Sequence, residues 1–287
     1  MATGPRSIWP PPWDDVTWPP RTSATTLRLN EVHVWAYPTI APAKVVRWCG
    51  STMDAAEHAK VRQMPAARQE PFLIARGVLR GLLASYLHVP PQAVELESGR
   101  YGKPTLRVAS GDPQLTFSLS HSDAIVLCAV TRHREVGVDV EQIRRDVDFL
   151  SIAARFLSSA EQAELRDGPP GRRARAFFAG WTCKEAYVKA TGEGLHRRLD
   201  SFDVSFDPDG PGGLLRDAVD DMGRWACARL PMPTGYAAAI VVEQPMSTGT
   251  QRDLAPPDGN VMRVGGSPAV LRSLRLGRVG RAEGLGG

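Results

Sequence analysis

The chain has 287 residues, of which 43% are hydrophobic, so it is long enough for one large domain or two ordinary ones with a real core. The formal net charge is +4 and the pI is near 9.0. This mild basic bias suits an acidic partner or a phosphate-bearing ligand, and arginine-rich composition alone explains it equally well. The four cysteines form no C-x-x-C pair, which argues against zinc ribbons and disulfide frameworks. We find neither a secretory signal nor a membrane-length apolar run and therefore expect a cytoplasmic protein.

Composition divides the chain into four segments. Residues 1–28 are rich in proline and tryptophan and are predicted to form an extended leader. Residues 246–287 lack hydrophobic periodicity and are predicted to form a basic, mostly disordered tail. Between them we expect one compact region with an N-terminal half at 29–134 and a C-terminal half at 135–245.

Periodicity predicts an α+β fold for this central region. Predicted helices cover 55–64, 72–87, 159–165 and 173–190, the last one ending at Gly192. Predicted strands cover 31–35, 115–120, 125–130, 136–140, 202–206, 225–230 and 236–242. The order helix, strand, strand occurs twice, which indicates two similar α/β halves related by a pseudo-two-fold axis, with the active site in the cleft between them. Since both halves belong to one chain, we expect a monomer.

Two acidic residues share one face of a predicted strand. In the run Gly137-Val138-Asp139-Val140-Glu141, alternation places the valines toward the core and Asp139 with Glu141 on the opposite face. The two carboxylates are then roughly 7 Å apart along the backbone, close enough to reach one hard cation. Alone, the pattern is more typical of ordinary surface acids on a half-buried strand.

The helix over 173–190 carries a second polar group. Trp181, Glu185 and Lys189 recur every four residues and therefore share one face. A surface salt bridge between Glu185 and Lys189 is one interpretation. It does not explain the glycine-bracketed turn at 191–195 that follows at once and that can bring backbone close to a ligand.

Lysine usage singles out the same regions. The chain has only five lysines against thirty arginines, and three of the lysines, Lys103, Lys184 and Lys189, lie in these motifs. Lys103 lies between a glycine and a proline, on a stiff turn that can direct an ammonium group at a phosphate.

Taken together, these motifs resemble the phosphopantetheinyl transferase superfamily, in particular the larger single-chain type that activates nonribosomal peptide and polyketide synthases. The resemblance rests on YGKP at 101–104, FSLSHS at 117–122, GVDVE at 137–141 and WTCKEAYVKATGEGL at 181–195, in that order. The run at 155–158, Arg-Phe-Leu-Ser, also matches the family. The resemblance implies transfer of the 4′-phosphopantetheine group of coenzyme A to a serine of an acyl or peptidyl carrier protein, with release of 3′,5′-ADP.

The resemblance also implies a metal site and a base. Asp139, Glu141 and Glu185 would hold Mg²⁺ against the pyrophosphate of coenzyme A. Glu185 would also accept the proton of the carrier serine, directly or through water. Lys184 would orient that glutamate, and Lys189 would complete the catalytic set.

The nucleotide end of coenzyme A would have its own contacts by the same resemblance. Lys189 and Lys103 would contact phosphates, and Ser120 with His121 would bind the region of the 3′-phosphate. An arginine before the second helix is expected as well, and Arg68 is the candidate for it.

Two other classes of protein are compatible with the same sequence features. A metal-dependent nucleotide or phosphodiester hydrolase would use the same acids and would consume coenzyme A without a protein acceptor. A basic nucleic-acid-binding protein is the third class, and the sequence carries no recognition-helix, RNP or zinc-finger signature for it. We therefore expect coenzyme A and a carrier protein as partners, without nucleic acid or membrane.

Overall fold

A computed structural model describes residues 27–29, 31–99, 102–107, 115–218, 220–244 and 262–265 of the chain. Helices and strands are interleaved within these ranges, so the protein has a mixed α/β fold. The helices are α1 (Ala43–Ser51), α2 (Ala55–Gln63), α3 (Ala66–Leu87), α4 (Phe149–Phe156), α5 (Ser159–Asp167) and α6 (Arg173–Thr191). The strands are β1 (Val32–Pro38), β2 (Leu96–Ser98), β3 (Pro104–Leu106), β4 (Leu115–Ser122), β5 (Ile125–Arg132), β6 (Val136–Gln142), β7 (Phe202–Val204), β8 (Leu214–Asp217), β9 (Trp225–Arg229), β10 (Tyr236–Glu243) and β11 (Met262–Gly265).

The longer strands form two sheets. The first has the order β11-β1-β5-β4, with β1, β5 and β4 antiparallel and β11 parallel to β1. The second has the order β6-β10-β9 and is antiparallel throughout. Two short hairpins, β2 with β3 and β7 with β8, lie outside these sheets.

The two sheets and the helices α3 and α6 form four layers, because alternate side chains of each strand face opposite sides of its sheet. One face of each sheet contributes to an apolar layer between the sheets, formed by the valines of β6 together with residues such as Val34, Leu127 and Ile240. The outer face of the first sheet packs on α3, and the outer face of the second packs on α6. The order helix, sheet, sheet, helix therefore leaves the acidic face of β6 directly beneath α6.

Local signals in the sequence predict several element boundaries correctly. The side chain of Ser158 accepts a hydrogen bond from the Glu161 N–H in a capping box, and α5 begins at the predicted residue 159. Asp54 caps α2 in the same way with Glu57. Gly192 ends α6 with a φ of 72°, in the left-handed region that glycine adopts without strain.

Other elements differ from the prediction. α3 begins at Ala66 rather than 72, because Pro71 is accommodated in the second turn of the helix, where it removes one backbone hydrogen bond. The short helices α1 and α4 and the short strands β2, β3 and β8 were not predicted. They hold too few residues for periodicity to identify them.

The two predicted end segments are only partly described. The leader is described only from residue 27 onward, and the backbone of Met262–Gly265, inside the predicted tail, pairs with β1. The rest of the tail lies outside the described residues. None of the helices that the structure describes is long and apolar enough to cross a membrane.

Candidate active site

Helix α6 approaches β6 more closely than a side chain would permit. A Cβ atom added to Gly137 would lie 1.9 Å from the carbonyl oxygen of Ala186, so only glycine allows this contact. Asp139 and Glu141 follow Gly137 on the same face of the strand. The close approach therefore brings these two acids next to Glu185, which directly precedes Ala186 on the helix, and Lys189, which follows it by three positions.

A ladder of serine hydroxyl groups joins the two sheets at this point. The backbone N–H groups of Val138, Val140 and Gln142 on β6 donate to the hydroxyl oxygens of every second residue of β4, at 3.0, 3.4 and 3.0 Å. The acceptors are Ser118, Ser120 and Ser122. β4 thus satisfies one edge of β6 without forming a regular β-ladder with it. The FSLSHS motif is in this way part of the scaffold of the site.

Asp139 is buried, with 4% of its surface exposed, and its two carboxylate oxygens have different surroundings. Oδ1 accepts hydrogen bonds from the Ser120 hydroxyl at 2.7 Å and from Lys189 Nζ at 2.6 Å. Oδ2 is buried and has no hydrogen-bond partner among the described residues. An unpaired buried carboxylate oxygen is costly, and Oδ2 is therefore an acceptor whose partner the described chain does not supply.

Glu185 and Glu141, the two glutamates near Asp139, both have raised pKa values. Burial raises the pKa of Glu185, and the negative charges of Asp139 and Glu141 raise it further while Lys189 opposes them. Burial also raises the pKa of Glu141, again with a contribution from Asp139, although the Ser122 hydroxyl donates to its Oε2 at 2.8 Å. The three carboxylates are therefore near enough to repel one another, and a cation among them would relieve that repulsion.

The described residues contain no cluster of three or more metal-binding side chains already drawn together around a point. Mg²⁺ does not require one, because it binds through one or two carboxylates and takes its remaining oxygens from water and substrate phosphates. The oxygen-only donors here, with the unpaired Oδ2 of Asp139, fit an ion that binds together with a phosphate.

Lys189 does not form the surface salt bridge that was one interpretation of its spacing. Its Nζ donates to Asp139, to the Ser120 hydroxyl at 3.0 Å and to the Val138 carbonyl at 3.2 Å. No ion pair joins it to Glu185 among the described residues, and its pairing with Asp139 on β6 ties α6 to the neighbouring sheet.

The structure places Ser120 and His121 differently from the expected phosphate contact. Ser120 is buried, and its hydroxyl is engaged with Asp139, Lys189 and the backbone of β6. His121, the next residue along β4, points to the exposed side of the strand. Ser120 therefore holds the acid and the lysine of the site, and a contact of Ser120 and His121 with the 3′-phosphate stays a prediction.

Lys103 lies where the glycine turn directs it. Gly102 has a φ of 85°, and Lys103 Nζ donates to the Val136 carbonyl at 3.1 Å and to Glu135 at 3.3 Å. Burial lowers the pKa of Lys103, and the charge of Glu135 partly opposes this. Its Nζ is thus anchored at the start of β6, in the same strand as the acids.

Two other predicted residues lie away from this group. Lys184 is fully buried and contacts Glu161 and the Leu199 and Phe202 carbonyls rather than Glu185, so its orienting role stays a prediction. Arg68 is exposed in the first turn of α3 and does not line the cavity described next. Adjacent positions on a helix point in different directions, which explains why Lys184 and Glu185 separate.

A cavity of about 520 Å³ opens beside Glu185 and Lys189. Both parts of the chain line it: Gly102–Pro104 and 117–119 from one side, and α6 with the following 197–200 from the other. Arg155 and Phe156 at the end of α4 also line it, as do Arg197 and Arg198. Spacing and composition in the sequence do not indicate a role for these four residues, although Arg155 and Phe156 belong to the run at 155–158 that resembles the family.

Comparison with known proteins identifies the family. The 4′-phosphopantetheinyl transferase superfamily matches over residues 135–241. HetI of Nostoc sp., a 4′-phosphopantetheinyl transferase, is 36% identical over 228 residues, which cover 79% of this chain and 93% of HetI. Sfp of Bacillus subtilis is 29% identical over 60% of this chain and 74% of its own, and gsp of Aneurinibacillus migulanus is 33% identical over 45% and 52%.

A solved structure gives a weaker likeness. The holo-[acyl-carrier-protein] synthase of Thermotoga maritima is 26% identical, with a TM-score of 0.30, over 38% of this chain and 62% of its own. The identity with HetI extends over nearly the whole of that protein. The chain therefore belongs to the 4′-phosphopantetheinyl transferase superfamily.

Proposed function

We propose that this protein transfers the 4′-phosphopantetheine group of coenzyme A to a serine of an acyl or peptidyl carrier protein, with Mg²⁺ bound at the acidic face of β6. The single observation that carries the proposal is the group formed by Asp139, Glu141, Glu185 and Lys189, of which Glu185 and Lys189 line a cavity. The chain's family performs this reaction, and this group supplies the charges that the reaction needs.

The metal would be held by Asp139, with Glu141 and Glu185 as the neighbouring acids. The unpaired Oδ2 of Asp139 supports this assignment, as does the mutual repulsion that raises the pKa of both glutamates. When bound, Mg²⁺ neutralises pyrophosphate oxygens and so stabilises the charge that develops during transfer.

Glu185 is the proposed base. The carrier serine attacks the phosphorus that bears pantetheine, the phosphoanhydride bond breaks, and 3′,5′-ADP leaves. The serine proton has to move to an acceptor, and a glutamate whose pKa is raised accepts a proton more readily near neutral pH than an ordinary one. Glu185 also lines the cavity, so it is accessible to the attacking hydroxyl.

Lysines stabilise the phosphates in this proposal. Lys189 is partly exposed to the cavity while it contacts Asp139, so it can face a phosphate bound at that acid. Lys103 lines the same cavity from the other part of the chain. Two cations lining one cavity suit a ligand that carries several phosphate charges, as coenzyme A does. No comparable contact supports Arg68 or His121.

The proposal extends to the organisation of the chain. We propose that residues 29–134 and 135–245 are two halves related by a pseudo-two-fold axis, with the leader and tail outside them. The cavity has walls from both halves, which supports a site formed within one chain and hence a monomer. Carrier proteins of nonribosomal peptide or polyketide synthases are the proposed acceptors, in the cytoplasm.

A mass-spectrometric assay tests the function. An apo carrier protein incubated with the enzyme, coenzyme A and Mg²⁺ should gain one phosphopantetheine on its serine, and the carrier with that serine changed to alanine should gain none. Omitting Mg²⁺ or adding a chelator should abolish the gain. Loss of coenzyme A without modification of the carrier would favour a hydrolase and would refute the proposal.

A further inference from the structure

A second lysine of α6 has a full set of buried partners outside the acidic group. Lys184 is 0% exposed, and its Nζ donates to the carbonyl oxygens of Leu199 at 2.7 Å and Phe202 at 2.6 Å. The third partner is Glu161 Oε1 on α5, at 2.8 Å. All three donors of the ammonium group are therefore used, and none remains for a substrate.

Both carboxylate oxygens of Glu161 also have partners. Its Oε1 also accepts from the Val204 N–H at 2.9 Å, and its Oε2 accepts from the Ser158 N–H at 3.0 Å. The pair thus connects α5, α6 and the start of β7. Its hydrogen bonds with the segment 199–204 are all to backbone atoms, and Lys184 Nζ also lies 4.2 Å from the centroid of the Phe202 ring, so the pair fixes the path of the chain there.

That segment is a wall of the cavity. Leu199 and Asp200 line the cavity together with the glycine turn at 102–104, and both are half-buried. Leu199 offers its carbonyl to Lys184 while the residue itself lines the cavity. The position of this wall relative to Glu185, one residue after Lys184, is therefore set by the buried pair.

Stability alone is a poor explanation for such a pair. Taking two charges out of water is costly, and apolar residues of similar size often replace a buried ion pair without loss of stability. An ion pair that binds three backbone groups of one segment does, however, select a single conformation for that segment.

We propose that Lys184 and Glu161 are positioning residues that hold the cavity wall at Leu199 and Asp200 and thereby set the affinity for coenzyme A. The inference rests on the proposed function, because it takes the cavity to bind this substrate. It differs from a catalytic role: the pair acts through the wall on a part of the substrate that is bound equally before and during transfer.

The test removes both charges together. In Lys184→Met/Glu161→Gln the apolar stem and the acceptor for the Val204 N–H are retained, and no single buried charge is left behind. We expect the KM for coenzyme A to rise about tenfold and kcat to change less than about threefold. The readout is steady-state kinetics on an apo carrier protein.

The chain offers a matched control. Arg80 and Glu57 form another buried ion pair, between α3 and α2, and neither lines the cavity. Arg80→Met/Glu57→Gln should lose stability to a comparable extent and leave KM and kcat within about twofold of the parent. A rise in KM in both double variants would overturn the proposal, because it would then reflect general loosening of the fold.

A third variant covers the case in which the first does not fold. Leu199→Ala removes part of the wall and leaves the pair intact, and it should raise the KM for coenzyme A while kcat is maintained. An unchanged KM in this variant, or in a folded Lys184→Met/Glu161→Gln, would overturn the proposal. So would a fall in kcat at unchanged KM, which would place Lys184 in the chemistry at Glu185.

Amide hydrogen exchange separates this inference from the proposed function. The amides of 199–204 should exchange faster in Lys184→Met/Glu161→Gln than in the control, whether or not coenzyme A is a substrate. If the parent enzyme neither binds nor uses coenzyme A, the proposed function fails. The positioning role is then decided by exchange alone, and equal exchange in the two double variants refutes it.

Discussion

At the scale of single residues, the site is organised around one buried carboxylate. Asp139 is held through Oδ1 by a hydroxyl and an ammonium group, and its Oδ2 has no partner among the described side chains. An acid held on one side only is rigid and still able to bind, which is the condition for a preorganised metal ligand. Burial, together with the negative charge of Asp139, raises the pKa values of the neighbouring Glu141 and Glu185.

Glu185→Gln should separate activity from stability. Because the pKa of Glu185 is raised, the folded state binds this proton more tightly than the unfolded state does. Proton binding by Glu185 therefore adds to the free energy of unfolding below the pKa of the unfolded state. This contribution is lost as the pH rises through the pKa of the folded state. Without Mg²⁺, Glu185→Gln should therefore melt at or above the parent temperature at about pH 7.5 and no higher than the parent at about pH 4.

The same variant should lose most of its rate. Glutamine keeps the shape but removes the proton acceptor, so the rate at saturating coenzyme A should fall by about a hundredfold or more. Glu164→Gln is the control, since burial also raises the pKa of this glutamate of α5, which does not line the cavity. Kinetics and thermal melting of both proteins check the prediction, and a parent-like rate for Glu185→Gln would remove the proposed base.

Lys189→Ala should raise the KM for coenzyme A more than Glu185→Gln does. The variant loses a proposed phosphate contact and the cation that holds Asp139, so the KM for coenzyme A should rise by roughly tenfold or more and the rate should fall as well. Stability should also decrease, because Asp139 is left buried without its partner. Lys60→Ala, at an exposed lysine of α2, should match the parent in steady-state kinetics. Equal behaviour of the two variants would contradict the assignment.

At the scale of elements, the decisive contact is that of α6 with β6. One strand carries the acids and one helix carries the base and the lysine, so their separation determines whether the four groups form one site. Gly137 controls that separation, since the nearest atoms to an added Cβ belong to the backbone of α6 and cannot rotate away. β6 pairs with β10 along one edge, and the serine hydroxyl groups of β4 bind its backbone along the other edge.

Gly137→Ala should therefore impair fold and activity together. The helix has to move away from the strand, at a cost of about 2 kcal/mol or more, and Glu185 then moves relative to Asp139. Gly171→Ala is the matched control, because nothing lies within 4 Å of a Cβ at that position. Urea denaturation and transfer assays of the pair provide the test. A stable and active Gly137→Ala would show that the close approach is dispensable.

At the scale of the whole molecule, two sheets and two helices form four layers, and the cavity takes residues from both parts of the chain. The edge strand β11 comes from the tail and pairs with β1, far along the chain from the acids of β6. The tail is thereby connected to the fold at an edge that is not part of the proposed site.

Deletion of 246–287 should lower the melting temperature by a few degrees, because β1 loses an edge partner worth about 1 kcal/mol, while transfer to a free carrier domain stays within about twofold. A truncation after residue 265 retains β11 and should melt like the full chain. Differential scanning calorimetry and the transfer assay compare the three proteins. A large loss of turnover in the shorter one would place the tail at the site.

Local patterns in the sequence were sufficient for much of the fold. The capping box at Ser158, the glycine that ends α6 and the alternation along β6 each depend on neighbours within a few residues. Such interactions are decided before the chain folds back on itself. The short elements α1 and α4 escaped prediction because their stability comes from tertiary packing rather than from their own periodicity.

The family and the main strands and helices thus follow from local patterns in the sequence, which also indicates the acids and lysines of the proposed site. Which of these groups are in contact depends on the packing of the elements. The fold pairs Lys189 with Asp139, places the Ser120 hydroxyl on the same carboxylate, and pairs Lys184 with Glu161. The reason is physical: spacing along one element shows which side chains share a face, whereas partners on other elements depend on how closely those elements approach, as α6 does over Gly137.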